Sequence, residues 1–252
     1  MIDIASGHTA IDRYLAEDYA RVPGMSSRFS AAICGHVIRR QSELVISGDM
    51  VEIGTFEGRF FIAMALGLQP GERALGIDVF DWPDEGVHGR LLSHCAKAGL
   101  ANEHFFTWKG NTRTLLAEGL RSQLGIKLAR FIHIDGDHTH ESLSHDLELA
   151  YHVLHPSGVI VLDDMLHPGY PELIVTVLDY LKRHPDMVVV CIIDREDISA
   201  AAKFMLCRAE AAAGYEQDLM TSFAPFHFTA AGKVMGRLTL VLTPEPKLAD
   251  IG

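Results

Sequence analysis

The chain has 252 residues, of which 48% are hydrophobic and 22% are charged, which is typical of a globular protein rather than a disordered segment or a coiled coil. Lysine and arginine total 22 and aspartate and glutamate total 33, and the resulting net charge of −11 argues against binding to nucleic-acid phosphates. The longest apolar runs fall far short of the roughly 20 residues of a membrane-spanning helix, and the N-terminal segment MIDIASGHTAIDRYL predicts no signal peptide.

Apolar runs of β-strand type alternate with helical patterns, which predicts a doubly wound, mostly parallel sheet covered by helices on both faces. A helix over 29–46 is expected to lie in front of this sheet. The predicted strands are 50–53, 74–80, 104–108, 129–134, 158–162 and 188–193, with a seventh at either 203–207 or 237–242. The predicted helices between them are 58–66, 89–98, 111–120, 139–154 and 171–183.

One domain accounts for the whole chain in this interpretation. Residues 1–45 form a helical N-terminal cap, and residues 46–208 form a seven-stranded, Rossmann-like α/β core. Residues 209–252 form a C-terminal extension with a short helix over 215–223 and a hairpin, which would serve as a lid or a dimer surface.

A glycine turn follows the first predicted strand, in the segment VEIGTFEG at residues 51–58. Gly54 would let the backbone approach a ligand, whose polar groups the turn amides could bind. The spacing places Phe56 where dinucleotide-binding turns have a central glycine, which disfavours a nicotinamide or flavin cofactor. Asp78, at the end of the second strand, could accept both hydrogen bonds from a ribose diol. A plain βαβ turn beside a solvated Asp78 is the alternative.

Three aspartates end the next two predicted strands: Asp135 ends the fourth, and Asp163 and Asp164 end the fifth. Because the carboxyl ends of parallel strands line the ligand crevice, these carboxylates should lie together near the glycine turn. Crowded carboxylates repel one another unless they protonate or hold a cation, and their oxygens suit Mg²⁺ or Mn²⁺. In the alternative interpretation Asp164 caps the following loop and Asp135 contacts a cofactor.

Histidines are concentrated around these aspartates. His138 follows the fourth strand, where a neutral imidazole could accept a proton from a substrate hydroxyl or could instead order the Asp135 loop. His167 is the second candidate base. A zinc site is disfavoured because His140 and His145 would lie about 140° apart around a helix axis.

Two segments resemble a known family. The string GDMVEIGTFEGRFFIAMALG, followed by GIDVF, resembles motifs I and II of class I S-adenosylmethionine-dependent methyltransferases. KGNT at 109–112 matches their turn beside the adenine, with asparagine in place of the usual aspartate. The cofactor-binding residues that this resemblance implies are Glu52, Gly54, Thr55, Phe56, Gly58, Asp78, Asn111 and Asp135.

The second segment, FIHIDGDHTHESLSHDLELAYHVLHPSGVIVLDDM, resembles Mg²⁺-dependent O-methyltransferases of the catechol and macrolide-sugar types. His140 stands where the family usually has an aromatic residue, and Ser157 replaces a glycine. The likeness covers residues 45–195, and it implies that Asp135, Asp163 and Asp164 are metal ligands.

The expected function is transfer of a methyl group from S-adenosylmethionine to a small hydroxylated molecule, with Mg²⁺ or Mn²⁺ assisting and with His138 and Asp135 as catalytic residues. The alternatives are a nicotinamide oxidoreductase, a metal-dependent hydroxylase or hydrolase, and a non-catalytic cofactor-binding protein. Four separated cysteines without a C-x-x-C pair predict a cytoplasmic protein. We expect a homo-oligomer, such as a dimer, with no nucleic-acid or membrane partner.

Overall fold

The computed structural model describes residues 3–228 and 232–245. Within these ranges one nine-stranded sheet has the order β3-β2-β1-β4-β5-β7-β6-β9-β8. The strands are β1 (Asp49–Ile53), β2 (Ala74–Asp78), β3 (Phe105–Lys109), β4 (Ala129–Ile134), β5 (Leu154–Met165), β6 (Met187–Ile193), β7 (Ala202–Arg208), β8 (Gly232–Val234) and β9 (Arg237–Leu242). Strands β1 to β5 run parallel to their neighbours among themselves, whereas β7 is antiparallel to both β5 and β6.

The mostly parallel α/β sheet agrees with the predicted fold, but the predicted number of seven strands is wrong. Both candidates for the seventh position are strands: β7 lies between β5 and β6, and β9 pairs in parallel with the other edge of β6. Strand β8 then forms a hairpin with β9. The two candidates had similar apolar character, and the sequence alone could not show that β6 has a partner on each edge.

Helices cover both faces of the sheet, as the continuous apolar strands require. The helices are α1 (Thr9–Glu17), α2 (Arg28–Glu43), α3 (Arg59–Ala65), α4 (Val87–Lys97), α5 (Gly119–Ser122), α6 (His140–Val153), α7 (Glu172–Arg183) and α8 (Ala209–Ser222). One apolar cluster includes side chains of α1, α2, α3, α4 and α8, and the other includes side chains of α5, α6 and α7. None of the helices in the described ranges is long and apolar enough to cross a membrane.

Most of the predicted helices are present, but the one predicted over 111–120 is wrong. The segment forms a single 3₁₀ turn at Thr112–Thr114, becomes extended at Leu115 and turns helical only at Gly119. The Asn111 side chain accepts a hydrogen bond of 2.9 Å from the Arg113 amide, and such local bonds favour a turn over a continuous helix. By contrast, Thr139 caps α6 as predicted, because its side chain accepts from the Ser142 amide.

The fully buried Arg130 joins helix α2 to the sheet. Arg130, on β4, donates from Nε and Nη2 to the two Glu72 carboxylate oxygens, both at 2.8 Å. Its remaining donors reach the carbonyl oxygens of Ile38 and Gly67 and the Gln41 side chain. The guanidinium is therefore paired and hydrogen-bonded in full, which a buried charge requires.

Candidate functional site

A cavity of about 480 Å³ opens at the carboxyl ends of β1, β2, β4 and β5. The predicted site residues that line it are Gly54, Phe56, Asp78, Asn111, Asp135, His138, Asp163 and Asp164. Six aspartates line it in total, and no lysine or arginine of the described residues does. The electrostatic potential of this cavity therefore favours a ligand or ion that carries positive charge.

The turn at Gly54 brings β1 and β4 into close backbone contact. Gly54 has a φ of +85°, and a Cβ atom placed on it would lie 1.7 Å from the carbonyl oxygen of Asp135. The Gly54 amide donates to the Ile77 carbonyl at 2.8 Å. Only glycine satisfies both the left-handed backbone and this close approach.

The Asp78 carboxylate is held in a fixed orientation at the cavity wall. Its Oδ2 accepts a 2.8 Å hydrogen bond from the Phe56 amide, and its Oδ1 accepts a 2.8 Å bond from the Phe80 amide. A carboxylate oxygen can accept more than one hydrogen bond, so both oxygens keep capacity for a ligand. Asp78 therefore joins the glycine turn to β2 and still presents acceptors to the cavity.

Three residues predicted to bind a cofactor, Glu52, Thr55 and Gly58, do not line the cavity. The buried Glu52 accepts a 2.8 Å hydrogen bond from His133 Nδ1, and burial raises its pKa. Thr55 donates from Oγ1 to the Ile77 carbonyl, and Gly58 precedes α3 with its Cα facing Leu91. Glu52, Thr55 and Gly58 therefore contact the surrounding protein and not the cavity.

Asp135, His138 and Asp164 each offer one ligand atom, and these atoms lie within 4.8 Å of one another. His138 Nε2 is 2.6 Å from Asp164 Oδ2, yet this buried nitrogen has no partner of hydrogen-bond geometry. Burial lowers the pKa of His138, but the adjacent Asp164 carboxylate outweighs it and the net shift is upward. The three atoms converge on the cavity and can hold either a proton or a cation.

The third predicted metal ligand, Asp163, is engaged elsewhere. Its Oδ2 accepts from the Lys203 ammonium and from Ser26 Oγ, the latter at 3.0 Å, and its Oδ1 accepts from the Asp164 amide at 2.8 Å. Asp163 does belong to a second group with His133 and Asp135, whose ligand atoms also lie within 4.8 Å of one another. Asp135 is thus shared between two groups, and Asp163 and Asp164 belong to different ones.

The pKa values of the neighbouring carboxyl groups of Asp135 and Asp163 are shifted in opposite directions. Burial and the nearby Asp163 charge raise the pKa of Asp135 well above its usual range. Burial would also raise the pKa of Asp163, but the Lys203 ammonium and His133 lower it further than burial raises it. Asp163 is therefore the permanently ionised member, and Asp135 is the carboxyl that a bound cation would help to ionise.

A divalent ion fits the Asp135, His138 and Asp164 group by its donor chemistry. Two carboxylates and an imidazole with an unpartnered nitrogen suit Mn²⁺ and related ions, with water completing the coordination. A site built from the three predicted aspartates alone would require Asp163 to leave its partners.

Aromatic side chains stack beside this group. The rings of His138 and Tyr170 are 4.1 Å apart and nearly parallel, and Tyr170 stacks in turn on His167 at 4.7 Å. His140 and His145 point elsewhere: His140 Nδ1 lies 2.8 Å from Thr176 Oγ1, and His145 Nε2 lies 3.0 Å from the Thr112 carbonyl. Neither of these two histidines belongs to the groups of converging ligand atoms among the described residues.

Asp146, on α6, is a cavity residue that the sequence reasoning missed. It is only 2% exposed, and its Oδ1 has no hydrogen-bond partner. Burial raises its pKa to about 6, although the Thr112 side chain donates to it. Its position on the apolar face of α6, between Leu143 and Leu147, is the signal that could have identified it. An unpartnered buried oxygen that lines a cavity is a candidate contact for a polar ligand.

Replacing Asp146 with asparagine should stabilise the ligand-free protein at neutral pH. The pKa of Asp146 is raised from 3.8 to about 6 on folding, so the folded state binds its proton more tightly and loses stability as the pH rises from about 4 to about 6. Above this pH range the loss of stability is complete and amounts to roughly 3 kcal/mol. Urea denaturation at pH 4 and pH 7.5 measures it.

The control for this change is Glu141→Gln, since Glu141 is exposed on the same helix. Its stability should follow that of the wild type at both pH values. A wild type and an Asp146→Asn variant that respond identically to pH would show that Asp146 is not the buried titrating group.

Residues 51–165 match a family model described as a methyltransferase domain. One similar structure is the O-methyltransferase TomG of Streptomyces achromogenes, which is involved in tomaymycin synthesis and was solved with SAM. It is 18% identical with a TM-score of 0.55, and the match covers 79% of this chain and 89% of that chain. The O-methyltransferase of Bacillus cereus, solved with SAH, is 16% identical with a TM-score of 0.58, over 79% and 90%. No curated protein matches the sequence.

A third similar structure is CalS11, described as a TDP-rhamnose 3′-O-methyltransferase of calicheamicin biosynthesis. It is 15% identical with a TM-score of 0.53, and the match covers 80% of this chain and 92% of that chain. The matches confirm the predicted Rossmann-like fold and the resemblance to class I methyltransferases. They do not favour the oxidoreductase or hydroxylase alternatives.

Proposed function

We propose that the protein is an S-adenosylmethionine-dependent methyltransferase that methylates a hydroxyl oxygen of a small molecule, because residues 51–165 match a methyltransferase-domain model and similar structures were solved with SAM or SAH. The observation that carries the proposal is the cavity between Gly54, Asp78 and Asp164, which is lined by six aspartates and, among the described residues, by no lysine or arginine. S-adenosylmethionine carries a sulfonium cation, and a cavity of this charge stabilises it.

The cofactor would extend along the carboxyl ends of β1, β2 and β3. The turn at Gly54 would hold its methionine part, and the fixed Asp78 carboxylate would accept from the ribose hydroxyls. The loop at Asn111 and the unpartnered Oδ1 of Asp146 would surround the adenine, whose exocyclic amine is a donor. Asp146 thus supplies an acceptor at the position where the family's usual aspartate is replaced by Asn111.

The acceptor would enter beside His138 and Asp164, next to the methionine end of the cofactor. The protein's main task is to hold the acceptor oxygen in line with the methyl carbon, at about 3 Å, because the sulfonium is already a reactive methyl donor. The acidic lining favours a neutral or cationic acceptor and disfavours an anionic one. This argues against a sugar nucleotide such as the one in the description of CalS11.

His138 is the proposed proton acceptor. Its Nε2 faces Asp164 Oδ2, and this carboxylate would stabilise the imidazolium that forms when the acceptor hydroxyl loses its proton. A divalent ion at Asp135 and Asp164, when bound, would lower the pKa of the acceptor hydroxyl. Because one nitrogen cannot hold both a metal ion and a proton, ligation by His138 is the second candidate role.

Titration with S-adenosylhomocysteine and with NADH tests the cofactor proposal. We expect S-adenosylhomocysteine to bind and NADH not to bind, since Phe56 occupies the position of the central glycine of a dinucleotide turn. Asp78→Asn should weaken the binding of S-adenosylhomocysteine by tenfold or more, because a charged acceptor for two hydroxyls is lost, at roughly 1.5–3 kcal/mol for each such hydrogen bond. NADH binding without S-adenosylhomocysteine binding would contradict the proposal.

The metal requirement is tested by methyl transfer to a panel of phenols and sugars with and without EDTA. Loss of transfer on chelation, restored by Mn²⁺, would show that a metal ion is required, and loss of Mn²⁺ binding in His138→Gln would then assign His138 to the metal site. Transfer that survives EDTA but is lost in His138→Gln would assign it the role of base.

We further propose a cytoplasmic homo-oligomer. The four cysteines are free and buried, as expected in a reducing compartment. The described part of residues 209–252 extends the sheet through β9 and β8, and the outer edge of β8 is the candidate dimer surface. Light scattering would measure the oligomeric state.

A further inference from the structure

The second group of converging ligand atoms, His133, Asp135 and Asp163, is as compact as the first but lies deeper in the protein. Asp163 is 8% exposed and His133 is 1% exposed. A side chain from the neighbouring antiparallel strand β7 reaches this group: Lys203, which is 1% exposed. A buried ammonium is costly unless it is paired with an opposite charge and hydrogen-bonded, so Lys203 requires partners for its charge and its donors.

All three donors of Lys203 are satisfied. The ammonium donates to Asp163 Oδ2, to Ser26 Oγ at 3.0 Å and to His133 Nε2 at 3.1 Å. An ammonium only donates, so His133 Nε2 accepts and its Nδ1 carries the proton that it donates to Glu52. The ammonium also lies 4.9 Å from the centre of the Phe60 ring, which adds a cation–π contact. Lys203 thus binds two of the three side chains, His133 and Asp163, that a metal ion in this group would need as ligands.

The charge balance excludes a second cation at this place. Lys203 and Asp163 form a neutral pair, and a divalent ion on Asp163 would lie within a few ångströms of the ammonium. Like charges this close in a buried site repel strongly, and a displaced Lys203 ammonium would lose its three hydrogen bonds. His133 would also have to give up the lone pair that accepts from Lys203.

We propose that Lys203 is a resident cation that occupies the place of a metal ion at Asp163, so that Asp163 is not a metal ligand and a divalent ion is confined to the group at Asp135 and Asp164, beside His138. Lys203 is therefore a positioning residue: it fixes Asp163 and, through the hydrogen bond from the Asp164 amide, the strand end that presents Asp164 to the cavity. This inference does not depend on methyl transfer, because metal binding to the free protein tests it.

The test compares Mn²⁺ binding, measured by calorimetry and electron paramagnetic resonance, in four forms of the full chain. These are the wild type, Asp164→Asn, Lys203→Met, and the double variant Lys203→Met with Asp163→Asn. The double variant removes a neutral pair, so it leaves the net charge beside the first group unchanged. It should bind Mn²⁺ as the wild type does. Asp164→Asn removes a direct ligand, and its Mn²⁺ affinity should fall by at least the roughly 10–100-fold that is lost when a hydrogen-bonding partner of a ligand is removed.

Lys203→Met should gain a second Mn²⁺ response in addition to that of the wild type, since it leaves Asp163 and His133 without a cation. Saturating Mn²⁺, at a hundred times its dissociation constant, should raise the Tm of this variant by roughly 5–10 °C more than it raises the Tm of the wild type. If Lys203→Met does not fold alone, its folded yield after dilution from urea should rise when Mn²⁺ is present.

Two results would overturn the proposal. One is a double variant that loses the Mn²⁺ binding of the wild type, which would make Asp163 a ligand. The other is a Lys203→Met variant whose Mn²⁺ affinity, Tm and folded yield show no gain over the wild type, which would mean that Lys203 does not take the place of an ion.

Discussion

The variant Gly54→Ala is expected to lose all measurable binding of S-adenosylhomocysteine and more than about 3 kcal/mol of stability. The new methyl group would lie 1.7 Å from the Asp135 carbonyl oxygen, and the residue would keep a φ of +85° that alanine disfavours. Relief of the clash would separate the ends of β1 and β4, and with them the turn and the carboxylates of the cavity. Urea denaturation and calorimetric titration measure the two effects.

Gly71 provides a matched control. Its φ of +87° is nearly the same, but a Cβ placed on it would meet nothing within 4 Å. Gly71→Ala should therefore cost only the backbone strain of about 1–2 kcal/mol and leave ligand binding intact. Equal losses in the two variants would show that backbone strain, and not the close approach to Asp135, determines the requirement for Gly54.

The variant Arg130→Met should lose roughly 3–5 kcal/mol of stability, because it leaves the buried Glu72 carboxylate without its charged partner. The guanidinium also donates to the carbonyl oxygens of Ile38 and Gly67, so α2 and the turn after α3 lose these hydrogen bonds to β4. We expect a lower urea midpoint with an unchanged slope, measured by circular dichroism.

Arg21 is the control for this change, since it forms a surface pair with Asp18 and its side chain is 77% exposed. Such pairs contribute about 0–1 kcal/mol, so Arg21→Met should be nearly neutral. A loss below 1 kcal/mol in Arg130→Met would mean that the buried network does not stabilise the fold.

The fold was predictable where apolar strands end at polar turns. The bounds of β4, Ala129–Ile134, agree with the prediction, since Asp135 and Gly136 interrupt the apolar run. The region after β3 was not predictable, because a hydrogen bond from the Arg113 amide to Asn111 decides between helix and turn. Helix α1 lies within the predicted helical cap over 1–45, but no bounds were predicted for it.

The site was predictable where it depends on the ends of parallel strands. Gly54, Asp78, Asp135 and Asp164 line the cavity because the carboxyl ends of their strands meet at one edge of the sheet. The pairing of Asp163 with Lys203 was not predictable, because it depends on β7 lying beside β5 with Leu162 opposite Phe204. Sequence reasoning left open whether that strand joined the sheet.

The position of β7 between β5 and β6 sets an order for assembly during synthesis. A ribosome releases β5 and β6 before it releases β7, so the outer edge of β5 stays open and Asp163 lacks its ammonium until residues 202–208 emerge. The other edge of β6 stays unpaired longer, until β9 at 237–242 emerges. Until β7 emerges, the nascent chain therefore exposes the outer edge of β5, both edges of β6 and the unneutralised Asp163 carboxylate, which makes this interval the one in which a chaperone would have most to protect.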